Sequence, residues 1–224
     1  MKNKILIILL ICFISCKTEP NKITNKEKKE KKVYTNTAFV DEHTADRIVA
    51  DTFYLKNNYK LIIFPTLDKG KKVINFRLIK DKKDNTYLLT DILESPYIPI
   101  YQSKDFKNYF VLHASFGTHN PYFWLYDKKT GKEVFTGIER DFDLKNELIL
   151  YEDENNDDNL FIYDVNTKEK TLVDIPSYFI SKYECTKYND FYKSIYIKYV
   201  TDKYYFIAFK DCPSTVEFKV KKSK

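Results

Sequence analysis

The chain has 224 residues, with 38 lysines and arginines against 32 aspartates and glutamates, for a formal charge of +6. That excess sits at one end. Lys2 and Lys4 contribute two, residues 17–32 hold seven lysines and three glutamates, and residues 33–224 therefore come to 6 − 2 − 4 = 0. A nucleic-acid binder carries its positive charge on the domain that meets phosphate, so this neutral remainder argues against such a partner.

In chain order, Lys2 and Lys4 precede an unbroken apolar run from Ile5 to Ile14, and Ser15 places a small residue before Cys16. Ten apolar residues rise about 15 Å as a helix, roughly half a bilayer core, so the run reads as a removable signal segment over residues 1–15. The ending Phe13-Ile14-Ser15-Cys16 resembles the lipobox of bacterial lipoproteins, with phenylalanine where leucine is usual. The resemblance implies export, acylation of Cys16 (palmitate among the acyl groups), and anchoring to the bacterial cell envelope at the outer membrane. Residues 16–32 are densely charged and lack apolar periodicity. They read as a disordered tether of roughly 20–25 Å whose lysines can rest on anionic headgroups.

From residue 33 the pattern changes to short apolar runs divided by polar turns, and 33–224 is long enough for a single domain with its own core. A short helix is expected at 44–51. Strands are expected at 52–56, 60–64, 73–80, 86–93, 109–115, 122–127, 133–136, 147–152, 160–165, 170–174, 194–200, 204–210 and 215–220. Each is a run of four to eight residues, rich in Tyr, Phe, Ile and Val and bounded by turn formers. The 19 tyrosines and 17 phenylalanines suit pleated, half-buried surfaces.

A weak internal repeat narrows the fold. Leu125-Tyr126-Asp127-Lys128-Lys129-Thr130 matches Ile162-Tyr163-Asp164-Val165-Asn166-Thr167 at an offset of 37 residues, with looser echoes at Ile79-Lys80-Asp81 and Phe209-Lys210-Asp211. Each copy reads as a strand, a turn in which Asp bonds backbone N–H groups two residues on, and a return strand. The segments resemble the outer hairpins of β-propeller blades. The resemblance implies an all-β, propeller-like fold of repeated antiparallel hairpins. A β-sandwich or barrel uses the same turn chemistry and is the alternative.

Catalytic signatures are scarce. The four glycines (Gly70, Gly117, Gly131, Gly137) build no phosphate-cradling loop, and G-x-S-x-G, H-E-x-x-H and C-x-x-C are absent from the sequence. His113 and His119 lie near Ser115 without a third partner for nucleophilic catalysis, and read as ordinary half-buried histidines. Asp153, Asn155 and Asp157 alternate in an acidic turn, with Asp164 eleven residues after Asp153, the oxygen spacing of a calcium loop. Glycine and glutamate are missing from their places in that loop, so a solvated hairpin turn competes with calcium. Strand alternation puts Tyr122, Trp124 and Tyr126 on one face, either as a stacking platform for a sugar or partner side chain or as core.

Once Cys12 leaves with the signal and Cys16 is acylated, Cys185 and Cys212 form an even pair in an oxidising compartment, which predicts a disulfide. The sequence thus describes an envelope-anchored, non-catalytic binding domain, with a protein, peptide or glycan as partner. An envelope hydrolase acting on glycan or peptide, with its carboxylates scattered along the chain, is the competing reading.

Overall fold

The computed structural model describes residues 39, 47–91, 100–115, 121–153, 159–183, 185 and 194–223. Their strands are β1 (Asp51–Leu55), β2 (Tyr59–Asp68), β3 (Lys71–Lys80), β4 (Lys83–Asp91), β5 (Tyr101–Asp105), β6 (Tyr109–Ser115) and β7 (Pro121–Asp127). There follow β8 (Glu133–Asp143), β9 (Leu148–Asp153), β10 (Asn159–Asp164), β11 (Lys170–Leu172), β12 (Ile195–Val200), β13 (Tyr204–Phe209) and β14 (Glu217–Lys221). A short helix, α1 (Ser177–Lys182), follows β11.

Pairing is antiparallel between chain neighbours. It gives a four-stranded sheet β1–β4, a seven-stranded sheet β5–β11 and a three-stranded sheet β12–β14. The fold is all-β, built from repeated hairpins, and among the described residues no sheet closes into a barrel. Seven consecutive strands stay in one ladder, so the arrangement follows the sandwich-like alternative rather than separate four-stranded blades.

The long sheet is buried on both faces, which explains why β6 and β9 read as continuous apolar runs instead of alternating ones. On its outer face, Phe110, Leu112, Ala114 and Tyr126 pack against Leu61, Ile63, Ile74 and Phe76 of the first sheet. Farther along the same face, Leu148, Leu150, Leu160 and Ile162 pack against Ile195, Ile207, Phe209 and Phe218 of the third sheet and against Phe179 of α1. The inner face holds Val111, Phe123, Leu125, Ile149, Tyr151 and Tyr163. There Phe106, at the end of β5, lies 6.2 Å from Phe142 of β8 between ring centroids. Strands three apart in a flat sheet stand about 14 Å apart, so the long sheet curls around this inner cluster. Each fully buried Phe or Leu contributes roughly 2–3 kcal/mol.

The sequence repeat is a structural one. Asp127 Oδ1 accepts bonds from Thr130 N (2.8 Å) and Thr130 Oγ1 (3.0 Å), while Asp164 Oδ1 accepts from Asn166 N (2.9 Å) and Thr167 N (3.0 Å). Both turns end on a left-handed residue, Gly131 in one and Lys168 in the other, each at φ 66°. Both dock on the preceding turn: Lys128 N donates to Asn108 O, and Val165 N to Glu147 O. A third turn uses the same device, with Asp143 Oδ1 accepting from Lys145 N and Asn146 N at 3.0 Å. The echo at Asp81 does not share it, since Asp81 itself takes the left-handed position in a two-residue turn.

Two expectations are corrected, and two elements fall outside the expected set. No helix forms over the described part of 44–51, where Asp51 instead opens β1. Among the described residues an α-helix forms instead at Ser177–Lys182. β5, the polar segment YQSKD, is an edge strand without the apolar run that marks an interior one. β8 continues to Asp143 through Gly137, where an added Cβ would fall 2.7 Å from Glu152 O, and through a bulge between Glu139 and Asp141.

Candidate functional site: a lysine-rich groove on a tyrosine floor

A groove of about 590 Å³ opens between the β3–β4 hairpin and the β7–β8 turn. The hairpin narrows to Lys80-Asp81-Lys82-Lys83, with Lys80 paired to Lys83 and Asp81 at φ 52°, so its tip presents three lysines within four residues. Asn85 and Tyr87 of β4, Tyr59 and Leu78 complete that wall, and Lys128 and Lys129 of the facing turn form the other.

The floor is rigid. Tyr87 stacks on Phe76 at 5.0 Å, and its ring rests on Gly131, where a Cβ would fall 2.1 Å from Cζ. The ammonium of Lys80 sits 4.6 Å above the Tyr59 ring, and that of Lys128 stands 5.9 Å from it. Such placement attracts cations to the ring face and holds the lysine stem in place.

Lys128 does different work from the others. It is buried (2 % exposed), and its ammonium contacts Asp105 Oδ1 at 2.6 Å, Phe106 O at 2.7 Å, Lys56 O at 3.2 Å and Lys107 O at 3.3 Å. Its three N–H donors meet the three carbonyls, and Asp105 balances its charge as an ion-pair partner. Burial pulls its pKa down and Asp105 opposes that pull. Lys128 therefore locks the turn to the end of β5 and to the β1–β2 connection, and its charge is answered within the protein. Lys80, Lys82, Lys83 and Lys129 face only Asp81 among the lining acids, a local charge of 4 − 1 = +3. The chemistry on offer is anion binding.

A second polar cluster lies on the inner face of the curled sheet. His113 Nε2 of β6 and Glu139 Oε2 of β8 are 3.7 Å apart, and neither atom makes a hydrogen bond. Tyr101 meets His113 edge-on at 4.9 Å. Burial, helped by Lys104, lowers the His113 pKa, and burial raises that of Glu139 against the pull of Lys104. Asp141 is also raised by burial, but its Oδ2 accepts a bond from Ile197 N at 2.8 Å. Glu139 pairs in register with Tyr151, an inner-face residue, and Asp141 with Leu150, an outer-face one. The two carboxylates thus lie on opposite faces of β8 and cannot serve one substrate as an acid–base pair.

The other candidates separate. Tyr126 is buried, 5.4 Å from Phe110 and 5.0 Å from Phe76, with its phenol pKa raised chiefly by burial. Trp124 packs against the same cluster and meets Tyr122 edge-on at 5.2 Å. On that face Tyr126 is core, Trp124 is half-buried against the first sheet, and Tyr122 is half-buried beside Trp124. Asp153 pairs with the ammonium of Lys170, whereas Asp164 caps its own turn. Asp153 is in register with Asn159, at the opposite end of β10 from Asp164, roughly 17 Å away along a six-residue strand. The two cannot ligate one calcium ion. Asn155, Asp157 and Cys16 lie outside the described residues. Among the described residues no group of three or more His, Cys, Asp or Glu side chains is placed to hold a metal. Cys185 and Cys212 are joined by a disulfide with Cα atoms 5.4 Å apart.

The groove itself was not read from the sequence. Its one signal was the point where the repeat breaks, Lys128-Lys129 against Val165-Asn166. No family model matches the chain, and neither a curated protein nor a solved structure matches it.

Proposed function

We propose that this chain is an exported, lipid-anchored envelope protein whose all-β domain binds a partner without transforming it. Cys16 carries the lipid and residues 17–32 act as spacer. The observation that supports the address is the Cys185–Cys212 bridge, a bond that persists in oxidising compartments and accords with the leader at 1–15. The bridge fastens the chain after α1 to the β13–β14 connection, and both cysteines pack against the core beneath the third sheet. The binding reading is supported by the groove, a concave face with a fixed floor and concentrated charge of one sign.

A hydrolase would rest on His113 and Glu139, which stand 3.7 Å apart and whose charged forms burial disfavours. Against it stands the opposed placement of Glu139 and Asp141.

Metabolic labelling with palmitate, followed by membrane fractionation of the wild type and of Cys16→Ser, tests the proposal. The wild type should be labelled and require detergent for release, and Cys16→Ser should be unlabelled. Equal, unlabelled partition of both into the soluble fraction would overturn it.

A further inference from the structure

We infer that the groove between the β3–β4 hairpin and the β7–β8 turn binds an acidic saccharide chain, one that carries single negative charges at intervals. The inference rests on the binding reading above and names its ligand class.

Four observations lead there. First, residues 33–224 are neutral as a whole, yet the groove concentrates +3 from Lys80, Lys82, Lys83, Lys129 and Asp81. Local charge of one sign against low-dielectric walls focuses the field on a ligand. Second, every cation in the lining is lysine and none is arginine. A guanidinium offers a fixed fork suited to gripping one phosphate bidentately, whereas lysines are separate, hydrated point charges on long stems. Lysines spread over two walls match charges spaced along a chain.

Third, the bond from Lys128 Nζ to Lys56 O and the Tyr87–Gly131 contact tie the two walls to each other, so the backbone of the groove is set before a ligand arrives. Fourth, Asn85 and the phenols of Tyr59 and Tyr87 supply neutral hydrogen-bonding groups among the lysines, and the roughly 590 Å³ of space suits a short stretch of sugars better than a lone ion. The stacked faces of Tyr59 and Tyr87 are already occupied, by Lys80 in one case and by Phe76 and Gly131 in the other. Recognition therefore depends on charge and hydrogen bonding, not on ring stacking.

The test uses the full chain in a neutral detergent, with calorimetry against hexagalacturonate, against maltohexaose as its uncharged counterpart, and against vesicles of phosphatidylglycerol. Hexagalacturonate should bind and maltohexaose should not, with affinity falling as salt rises. The triple variant Lys80→Gln, Lys83→Gln, Lys129→Gln should melt as the wild type does and lose at least about tenfold in affinity. Lys219→Gln with Lys221→Gln, on the third sheet, should lose none. Unchanged hexagalacturonate binding in the triple variant, no binding by the wild type, or binding to the anionic vesicles alone would each overturn the inference. Palmitate labelling at Cys16 in the same preparation separates the two claims: an acylated protein that ignores hexagalacturonate loses only this ligand, and an unacylated one loses the reading beneath it.

Discussion

Tyr87 of β4 lies with its ring directly against Gly131 of the β7–β8 turn, so close that a methyl group on Gly131 would fall 2.1 Å from Cζ. The contact joins the first sheet to the second at the floor of the groove. Gly131 also holds φ 66°, which L-residues rarely adopt. Gly131→Ala therefore combines about 1 kcal/mol of backbone strain with about 1–3 kcal/mol of overpacking. Gly70→Ala meets only the first cost, because φ there is 84° but nothing lies within 4 Å of the added carbon. Urea midpoints at constant slope should rank the variants in that order.

Lys128 and Val165 hold the same position in two copies of one turn, but the first is an ion-paired ammonium and the second is packed apolar. Lys128→Met keeps the stem and strips the charge from Asp105 and three carbonyls. A loss of about 3 kcal/mol in chemical denaturation is expected, the usual consequence of removing one partner of a buried pair. A loss below about 1 kcal/mol would show that the lock is not made.

Arg140 and Glu152 form a second buried pair, with Nε to Oε1 at 3.0 Å and Nη2 to Oε2 at 2.6 Å. Arg140→Met and Glu152→Leu should each cost about 3–5 kcal/mol, and the double variant much less than their sum. Additive losses in that cycle would contradict the pairing.

Stability near Glu139 and His113 should respond to pH in opposite senses. Burial raises the Glu139 pKa, so its contribution is full below the unfolded carboxylate value and is lost as pH rises through the raised one. The His113 pKa is lowered, so its contribution is present above the unfolded imidazole value and is lost as pH falls through the lowered one. Glu139→Gln should abolish the loss on the rising side and add about 1 kcal/mol at neutral pH, since an amide can donate to His113 Nε2. Thermal melts from about pH 4 to about pH 8 check both limbs.

The sequence revealed what strong local patterns encode. The apolar-Tyr-Asp-x-x-Thr repeat located two hairpins whose Asp caps are present as expected, because that turn is decided by residues three apart. The disulfide was legible for a similar reason, once two of four cysteines were assigned to the leader and the lipid. Features decided by distant residues were hidden. β5, at the end of its sheet among the described residues, carries no apolar run, and β8 is masked by Gly137, whose fitness depends on Tyr151 and Glu152 fourteen and fifteen residues away. Tyr126 is core because residues of β2 and β3 cover it, which its own sequence window does not encode. The groove depends on Lys128 meeting Asp105 and on Gly131 meeting Tyr87, which no local window contains.

Intact mass spectrometry of the protein from native envelopes bears most directly on the whole picture. The mature chain should begin at Cys16 with lipid on its sulfur, lack residues 1–15, and have the mass of the form in which Cys185 and Cys212 are joined. A cytosolic chain that keeps Met1 and bears a free thiol at Cys16 would contradict it.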